Sequence, residues 1–437
     1  MIIKWDDVYS NDEVTKAVLH FAKKCLFMRY KALNVSWDEE NVFSFMKESE
    51  KRISKICANL SGPVEEIVPQ PYLLKEIKIK SKVRRLHIAT WNDKVIDATL
   101  NRMLAKGTAK WLSKNAYAFR NKQNSLDVCQ RKIRSCLVTH KYVIKRDIRS
   151  FYDSINHEKM LNTLRNICDD RLYDVLKSRV KFLYTLDNPG NTKEATIGLS
   201  FGSSLAPILS NILLTPLDRE LEKINNVTVF RYADDVLILS TNPSDALSAA
   251  KVFDDGIAEL GLILKPAASI NMSFVECAGF NYVKYFKHLG LQFHDDGSIR
   301  LASEKIHKIM NIFRFAFSKK KKQLSYINNI DGKLKLLIQI ANDELARMRP
   351  MAIIDYYMKH TTDENQYRQL DLWLAEEIIS IALGTGHKKG NFKKIPFKKL
   401  RDLNLMSLVH RRRLLHHGQI DDSFAMIRNR YLIKKSG

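Results

Sequence analysis

Two adjacent aspartates, Asp234 and Asp235, lie between apolar runs in the segment VFRYADDVLILS of residues 229–240. Both runs are rich in residues that favour strands, and the aspartates stand where a hairpin would turn. Neighbouring carboxylates repel each other unless a cation compensates their charge. Aspartate is also common in turns, and a Tyr-x-Asp-Asp tetrapeptide occurs by chance in roughly one chain of this length in ten. The pair therefore indicates a functional site only if it has partners elsewhere in the chain.

Asp147 is the candidate partner, because it ends the segment KYVIKRD of residues 141–147, whose apolar residues predict a buried strand. One interpretation of Asp147 is an ion pair with the neighbouring Lys145 or Arg146. The other makes it a third carboxylate beside the hairpin. Three converging carboxylates would form an oxygen site suited to Mg²⁺ and not to zinc. Two such ions can hold the attacking and leaving oxygens of an in-line phosphoryl transfer.

The charge of the whole chain favours a nucleic-acid partner. Its 437 residues include 72 Lys and Arg against 48 Asp and Glu, a formal net charge of +24. Such an excess indicates a polyanionic partner. No apolar run approaches the length of a membrane span, and the acidic start MIIKWDDVYSNDE is unlike a signal peptide. With six scattered cysteines and no CxxC pair, we expect reduced thiols, no structural zinc, a cytoplasmic location and no membrane.

Other segments predict the elements that position these residues. LLKEIKIKSKVRRLHIAT, from Leu73, alternates apolar and basic residues as a strand pair would, and an amphipathic helix follows from Trp91. FGSSLAPILSNILL, from Phe201, reads as a glycine-bearing loop that enters an apolar helix. YFKHLGLQF followed by DDGSIRL predicts a hairpin with its turn at Asp296–Gly297. After Leu301 the chain is predicted to be helical and is strongly basic.

In this order, the blocks resemble those of reverse transcriptases, most of all the bacterial group II intron, retron and stand-alone defence-associated enzymes. The resemblance runs from about Lys75 to Phe293. It implies an α+β right-hand polymerase with fingers and palm at residues 76–300, after a helical N-terminal extension at residues 1–75. A helical thumb at residues 301–350 and a basic helical C-terminal extension at residues 351–437, for RNA binding or thumb extension, complete the expected organisation.

The resemblance also assigns roles to individual residues. It implies that the catalytic metal ligands are Asp147, Asp234 and Asp235. The residues implied to bind the nucleotide are Arg84 with Lys80 or Lys82 at the triphosphate, Tyr152 at the ribose 2′-hydroxyl, and Gly202. The residues implied to grip the primer are Leu289 and Gly290. The residues expected to contact nucleic acid are Arg120, Lys319, Lys320, Lys321, Lys322, Arg411, Arg412 and Arg413. Taken without the resemblance, Phe151 and Tyr152 could equally be core residues.

The chain departs from the family pattern at several positions, one of which is Ala118, where the family usually has glycine. Phe201 stands in a Ser-Phe-Gly block where the family usually has Pro-Gln-Gly. Ala268 replaces the lysine expected near the end of GLILKPAAS, which leaves open whether Lys265, three positions earlier, substitutes for it. Arg85 follows Arg84 where proline is usual.

These observations predict an RNA-directed DNA polymerase that uses two Mg²⁺ ions and deoxynucleoside triphosphates to make cDNA. The expected template is a dedicated noncoding RNA, and the expected setting is antiphage defence, a step that rests on analogy alone. The C-terminal region carries no HNH-type histidine cluster and no RNase H pattern, which disfavours a full-length homing intron enzyme. A retron-type enzyme, a template-independent or protein-primed DNA polymerase, and a catalytically decayed RNA-binding protein remain alternatives.

Overall fold

The computed structural model describes residues 2–28, 36–79, 82–120, 124–186, 191–346, 348–388 and 390–420. Lys80 lies outside these ranges, as does the side chain of Lys82. The chain divides into two compact units, Met1–Asn281 and Tyr282–Gly437. This division comes before the boundary predicted near residue 300, because residues 285–301 form a sheet of their own. The helices on both sides of residue 350 belong to one unit.

The first unit begins with helices, as predicted for the N-terminal extension, and alternates helices and strands afterwards. Its helices in the described ranges are α1 (Trp5–Val8), α2 (Asn11–Met28), α3 (Val42–Lys47), α4 (Ser49–Ser61), α5 (Trp91–Gly107), α6 (Leu126–Cys136), α7 (Phe151–Ser154), α8 (His157–Arg165), α9 (Asp170–Val180), α10 (Ala206–Leu221) and α11 (Pro243–Glu259). The predicted helix at Trp91 is confirmed, and the hydroxyl of Thr90 caps it by accepting from the Asp93 amide. The predicted cap at Asn156 is confirmed too, since its side chain accepts from the Lys159 amide.

The strands of the first unit form two sheets. They are β1 (Tyr72–Ile79), β2 (Lys82–Ile88), β3 (Tyr142–Asp147), β4 (Leu183–Thr185), β5 (Thr192–Glu194), β6 (Val227–Tyr232), β7 (Asp235–Ser240), β8 (Ile270–Ser273) and β9 (Asn281–Tyr282). One sheet has the order β2-β1-β4-β5, in which β1 and β2 are the predicted antiparallel pair. The other has the order β6-β7-β3-β8-β9, so strands distant in sequence lie side by side at its centre.

The five-stranded sheet is covered by apolar helices. Helix α11 packs against β3 and β7, and α10 packs against α11, α8 and β6. The interior positions of β7 are buried from Val236 to Ser240, and most residues of α10 are buried as well. A strand with such a continuous buried run gives its ends a rigid position, because close-packed interiors do not deform easily. Both aspartate-bearing segments, at the end of β3 and the start of β7, are anchored in this way.

The second unit combines a three-stranded antiparallel sheet with helices. Its strands are β10 (Tyr285–His288), β11 (Leu291–His294) and β12 (Ile299–Leu301), in that order. Its helices in the described ranges are α12 (Ser303–Lys319), α13 (Lys321–Ser325), α14 (Ile330–Ala346), α15 (Met348–His360), α16 (Asn365–Leu383), α17 (Asn391–Lys394), α18 (Phe397–Asp402) and α19 (Leu408–His416). Helix α14 packs against α12, α15 and α16, and α19 packs against α15 and α16.

The three-stranded sheet confirms one predicted turn and contains another that the sequence analysis missed. Gly297 has a φ of 78° in the predicted turn between β11 and β12. The segment YFKHLGLQF is two strands, because Leu289 and Gly290 make a tight turn between His288 and Leu291. Among the helices of the described ranges, none combines the length and the apolar character needed to cross a membrane.

Candidate functional site

The tip of the β6–β7 hairpin presents the aspartate pair, as the sequence predicts. Tyr232 pairs with Asp235 across the strands, so Ala233 and Asp234 form a two-residue turn. Ala233 has a φ of 59°, a left-handed conformation that costs a non-glycine residue on the order of 1–3 kcal/mol. Such strain persists only where the surroundings impose it. The turn therefore holds the two carboxylates in one fixed arrangement at the edge of the sheet.

Asp147 lies directly beside Asp235. The antiparallel register of β3 and β7 pairs the two residues, and paired residues point to the same face of a sheet. Their side chains remain 27% and 25% exposed, so both carboxylates are accessible from solvent. The third carboxylate, Asp234, adjoins Asp235 in the turn. The three predicted metal ligands are thus brought together by one strand end and one hairpin tip.

Electrostatics shows how crowded these carboxylates are. Burial raises the pKa of Asp234, and the negative charges of Asp147 and Asp235 raise it further. The positive charge of Lys265 lowers the pKa of Asp234. A carboxylate whose pKa is raised by neighbouring negative charges binds a proton or a cation more readily than an isolated aspartate does.

Lysines supply positive charge to this cluster. The ammonium of Lys265 forms an ion pair and hydrogen bond with Asp147, and the Lys265 amide donates to the Asp147 carbonyl at 2.8 Å. Lys145 Nζ lies 3.8 Å from Asp235 Oδ1. Lys265 therefore reaches Asp147, and whether it takes the role of the lysine that Ala268 replaces stays a prediction.

The alternative interpretation of Asp147, an ion pair with its chain neighbours, does not describe the structure. Arg146 projects from the other face of β3 and binds Asp254 of α11 through two hydrogen bonds of 2.7 and 3.0 Å. Lys145 approaches Asp235 and not Asp147. Asp147 is thereby left to face the hairpin and Lys265.

Arg231 is a structural residue of the site that the sequence analysis missed. It is fully buried and binds Asp218 of α10 through Nε at 2.8 Å and Nη2 at 2.6 Å. Its Nη1 also donates to Asn211 Oδ1 at 2.9 Å. This network ties the hairpin to α10 three residues before Asp234. The signal in the sequence was an arginine inside an otherwise apolar strand. Such an arginine either lies at an edge of the sheet or forms a buried ion pair.

A cavity of about 710 Å³ opens beside the hairpin tip. Its lining combines residues of β2, of the segment after β3, of the loop before α10 and of the segment after α11. These residues are Val83, Arg84, Arg85, Arg149, Ser150, Phe151, Tyr152, Asp153, Phe201, Asp234, Lys265, Pro266 and Ala267. The predicted triphosphate ligand Arg84, the predicted sugar gate Tyr152 and the predicted metal ligand Asp234 thus share one cavity.

Tyr152 has one side in this cavity and another against the core. Its ring centroid lies 5.5 Å from that of Phe151 and 5.7 Å from that of Phe201. Phe151 is buried, whereas Tyr152 is only partly buried at the edge of the main core cluster. Burial raises the pKa of the Tyr152 phenol. Both aromatics line the cavity, and Tyr152 is the more exposed of the two.

Gly202 is required by a close approach within the chain. Its φ is 115°, and a Cβ at this position would lie 2.6 Å from Leu86 Cδ1 and 2.9 Å from the His87 carbonyl oxygen. Any other residue would force β2 away from this loop. The close approach expected at Gly202 therefore involves strand β2, and Gly202 is not among the residues that line the cavity.

The remaining basic residues of the first unit have different surroundings. Arg84 is exposed at the cavity, with its guanidinium carbon 5.8 Å from the centre of the Phe201 ring. Arg85 makes an exposed contact with Glu76 at 3.5 Å, which contributes little to stability. Arg120 is half-buried and donates to the Ser113 carbonyl at 3.0 Å, so it supports the backbone beside Asn115.

The predicted primer-grip residues form the turn between β10 and β11. Leu289 and Gly290 have φ values of 48° and 89°, and both central residues of a type I′ turn need positive φ. A Cβ on Gly290 would lie 3.0 Å from Lys305 Cε and 3.2 Å from the Tyr357 hydroxyl. Leucine is strained in this conformation, which is typical of functional turns.

The two basic runs of the second unit differ in their contacts. Lys319, Lys320, Lys321 and Lys322 are all exposed at the junction of α12 and α13. Arg411, by contrast, binds the fully buried carboxylate of Asp355 through two hydrogen bonds of 2.8 Å.

The other two arginines of that run also have partners within the unit. Arg412 donates to the Thr361 carbonyl at 2.9 Å, and Arg413 lies 2.9 Å from Glu364. The nucleic-acid contacts expected for the 411–413 run stay a prediction, although all three arginines have partners within the unit.

The carboxylate cluster has the ligand types of a metal site but not the spacing. Across the described part of the chain, no three or more His, Cys, Asp or Glu side chains are grouped closely enough to hold a metal ion as they stand. The donor types nevertheless fit a hard cation, because Asp147, Asp234 and Asp235 offer only carboxylate oxygens. The ion pair between Lys265 and Asp147 shows that the cluster attracts positive charge.

The chain belongs to the reverse transcriptase family. The family model described as reverse transcriptase (RNA-dependent DNA polymerase) matches residues 74–293, half of the chain. The matched range contains every element that builds the carboxylate cluster and the cavity. The α+β class and the right-hand polymerase fold predicted from the sequence are confirmed by this match.

Curated relatives match parts of the chain at low identity. The retron Ec83 reverse transcriptase of Escherichia coli is 32% identical over 112 residues, which cover 25% of this chain and 35% of that protein. A putative COX1/OXI3 intron 1 protein of Saccharomyces cerevisiae is 25% identical over 150 residues, or 34% of this chain and 18% of the relative. The chain thus spans only 35% and 18% of the lengths of these two relatives.

Solved telomerase structures resemble the chain more loosely. A telomerase from Candida albicans in complex with a fragment of telomeric RNA has a TM-score of 0.45 at 12% identity, covering 89% of this chain and 68% of that one. The apo telomerase of Candida tropicalis has a TM-score of 0.46 at 11% identity, covering 84% and 75%.

Proposed function

We propose that the protein is an RNA-directed DNA polymerase that copies a partner noncoding RNA into cDNA, in the setting of antiphage defence. The observation that carries the polymerase proposal is the pairing of Asp147 with Asp235 beside Asp234, at the edge of a cavity that also contains Arg84 and Tyr152. The defence setting and the dedicated RNA are supported by analogy with the bacterial enzymes alone.

In this proposal Asp147, Asp234 and Asp235 would hold two Mg²⁺ ions, which would supply the Lewis-acid chemistry of the phosphoryl transfer. Arg84 binds the triphosphate through its planar guanidinium, which suits phosphate oxygens. Tyr152 orients the sugar. Lys265 balances the charge of Asp147 when the nucleotide is absent. Because the nucleotide brings further negative charge, Lys265 is also placed to interact with it within the same cavity.

Primer extension with the purified full chain tests the polymerase proposal. We expect labelled primer to be extended on an RNA template with deoxynucleotides and Mg²⁺, and not in reactions that lack template. Extension that is equal with and without template would instead support a template-independent polymerase. If no template or primer supports synthesis while RNA still binds, the decayed RNA-binding alternative replaces the proposal.

Sequencing of the nucleic acid that co-purifies with the protein tests the partner RNA. Samples treated separately with RNase and DNase should yield one predominant RNA and a cDNA complementary to part of it. A random sample of cellular RNA would contradict a dedicated partner. Phage challenge of cells that carry the wild-type gene or its Asp147→Asn variant tests the defence setting, because only the wild type should protect.

Tyr152 is expected to select the sugar of the nucleotide. Replacing it by valine removes a rigid ring from a packed cavity that cannot close by relaxation. We expect the discrimination against ribonucleotides to fall by at least tenfold, with a moderate loss of deoxynucleotide use. Single-nucleotide incorporation of each sugar measures the ratio.

Phe253→Val provides the control, because Phe253 is a buried aromatic of the same core cluster that does not line the cavity. This variant should melt at lower temperature, since truncating a buried aromatic costs about 3–5 kcal/mol, and its sugar ratio should stay unchanged. A Tyr152→Val protein that melts early and still rejects ribonucleotides would assign Tyr152 to the core.

The lysines at the α12–α13 junction are expected to bind nucleic-acid phosphates. Phe315 beside them is 62% exposed, and Lys319 Nζ lies 4.3 Å from its ring centre. Exposed aromatics among basic residues are typical of surfaces on which bases stack. Replacing Lys319 to Lys322 by glutamine should make the slope of log affinity against log salt shallower by roughly 3, at about 0.7–0.9 per phosphate contact.

A second quadruple variant controls for total charge. It replaces four exposed lysines outside the regions expected to contact nucleic acid, namely Lys51, Lys55, Lys159 and Lys177. Both variants lose four charges, so only a local phosphate track makes them differ. Equal slopes in the two variants would mean that the 319–322 run contributes only to general attraction.

A further inference from the structure

Phe201 brings a second aromatic ring to the nucleotide cavity. Its ring centroid lies 5.7 Å from that of Tyr152, with 47° between the ring planes. The guanidinium carbon of Arg84 lies 5.8 Å from the same ring centre, within cation–π range. Phe201 therefore stands between the residue proposed to bind the triphosphate and the residue proposed to face the ribose. A nucleotide that contacts both must place its sugar near this ring.

The loop that carries Phe201 is held on both sides. The Phe201 carbonyl accepts from the His87 amide of β2 at 2.9 Å. The Ser203 hydroxyl donates to Asp97 of α5 at 2.6 Å, and Asp97 is fully buried. Gly202 allows β2 to approach the loop closely. Because these contacts come from two different elements, the backbone that carries the Phe201 ring is held in place before a nucleotide arrives.

We propose that the rings of Phe201 and Tyr152 form a corner around the sugar of the incoming nucleotide, and that Phe201 contributes to sugar selection because its ring offers a 2′-hydroxyl no hydrogen bond. This proposal rests on the proposed function, and it adds a second determinant to the steric effect of Tyr152. Two rings offer good contact to the C2′ methylene of a deoxyribose. A hydroxyl buried there without a partner weakens binding by roughly 10- to 100-fold.

The matched variants Phe201→Leu and Phe201→Gln separate polarity from shape. Both replace the ring by a side chain of moderate size, and both remove the contact with Arg84. Only glutamine offers hydrogen bonds to a hydroxyl. We expect the leucine variant to keep the wild-type preference for deoxynucleotides within about threefold, and the glutamine variant to lose it by about tenfold, chiefly through a lower KM for ribonucleotides.

A double-mutant cycle tests whether the two rings act together. Phe201→Gln and Tyr152→Val are combined, and the logarithm of the sugar ratio is compared with the sum of the single effects. A shared corner predicts a combined effect clearly smaller than the sum, because either substitution already gives the hydroxyl space or a partner. Additive effects would overturn the common corner.

Nucleotide binding separates failure of this inference from failure of the proposed function. Dissociation constants for deoxy- and ribonucleoside triphosphates are measured by calorimetry with Ca²⁺, so that no synthesis is needed. A wild-type preference for the deoxy form that the glutamine variant alone loses supports the corner, even if the chain elongates no primer. Identical sugar ratios for the leucine and glutamine variants overturn it, whether or not either protein melts at lower temperature.

Discussion

We expect the Asp147→Asn variant to lose DNA synthesis by a factor on the order of 10³ or more, because a neutral amide cannot balance a divalent cation and offers one oxygen where aspartate offers two. Asp147 lies opposite Asp235 in the register of β3 and β7, so removing its negative charge affects the whole carboxylate cluster. Replacing Asp234 and Asp235 together by asparagine should have the same result. Primer extension with RNA template and Mg²⁺ measures the activity.

The same substitution should leave the fold intact. Asp147 and Lys265 are both partly exposed, so the unpaired ammonium can be solvated by water. Removing one negative charge also relieves Asp234, whose pKa is raised in part by Asp147. The thermal melt of the variant should therefore match or exceed that of the wild type, and its affinity for RNA should be unchanged.

Asp254→Asn is the matched control, because Asp254 binds Arg146 on the opposite face of the same strand. It removes an equal charge a short distance away without touching the cluster. Activity should remain within a few-fold of the wild type. Near wild-type synthesis by the Asp147→Asn protein, or an equal loss in the control, would contradict the assignment of Asp147 as a catalytic ligand.

Local chemistry made much of this site predictable. The hairpin around Asp234 and the strand that ends at Asp147 each have an apolar pattern interrupted by charge, and such patterns need no knowledge of distant residues. The strand pair before Trp91 and the cap at Asn156 follow from equally local signals. These elements are found where the sequence predicts them.

Contacts between segments that are distant in sequence could not be predicted from local patterns. The ion pair of Lys265 with Asp147 depends on the hydrogen bond from the Lys265 amide to the Asp147 carbonyl, which places the two residues side by side. The alanine at position 268 did not indicate this contact. The buried partner of Arg411, Asp355, is 56 residues away in sequence. An arginine in a basic run resembles a surface residue unless its partner is known.

The turn at Leu289 was missed for a different reason. Turn prediction depends on residues that tolerate positive φ, mainly glycine, asparagine and aspartate. A leucine with a φ of 48° breaks this rule, and the segment therefore resembles one continuous strand. The strain at Leu289, like that at Ala233, lies beside a residue with an expected role in polymerisation. Local rules thus fail where the structure imposes a conformation that the residue would not choose.

The second large effect is expected at Arg231, through stability. Replacing Arg231 by methionine leaves the fully buried carboxylate of Asp218 without its counter-ion, and breaking one side of a buried pair costs about 3–5 kcal/mol. A loss of this size should lower the melting temperature of the first unit by roughly 10 °C. Hydrogen exchange should rise in β6 and β7, because the hairpin loses its attachment to α10.

Two further variants define what the loss means. Arg165→Met removes an exposed arginine whose contact with Asp170 is 3.6 Å, and it should change stability by less than about 1 kcal/mol. Arg231→Met combined with Asp218→Asn removes both buried charges, and it should recover part of the stability because no uncompensated carboxylate remains.

If the single Arg231→Met variant melts like the wild type, the pair does not anchor the hairpin. If the double variant recovers stability but still synthesises little DNA, Arg231 is a positioning residue for the aspartates, since a displacement of about 1 Å at a reacting group can cost ~10²-fold in rate.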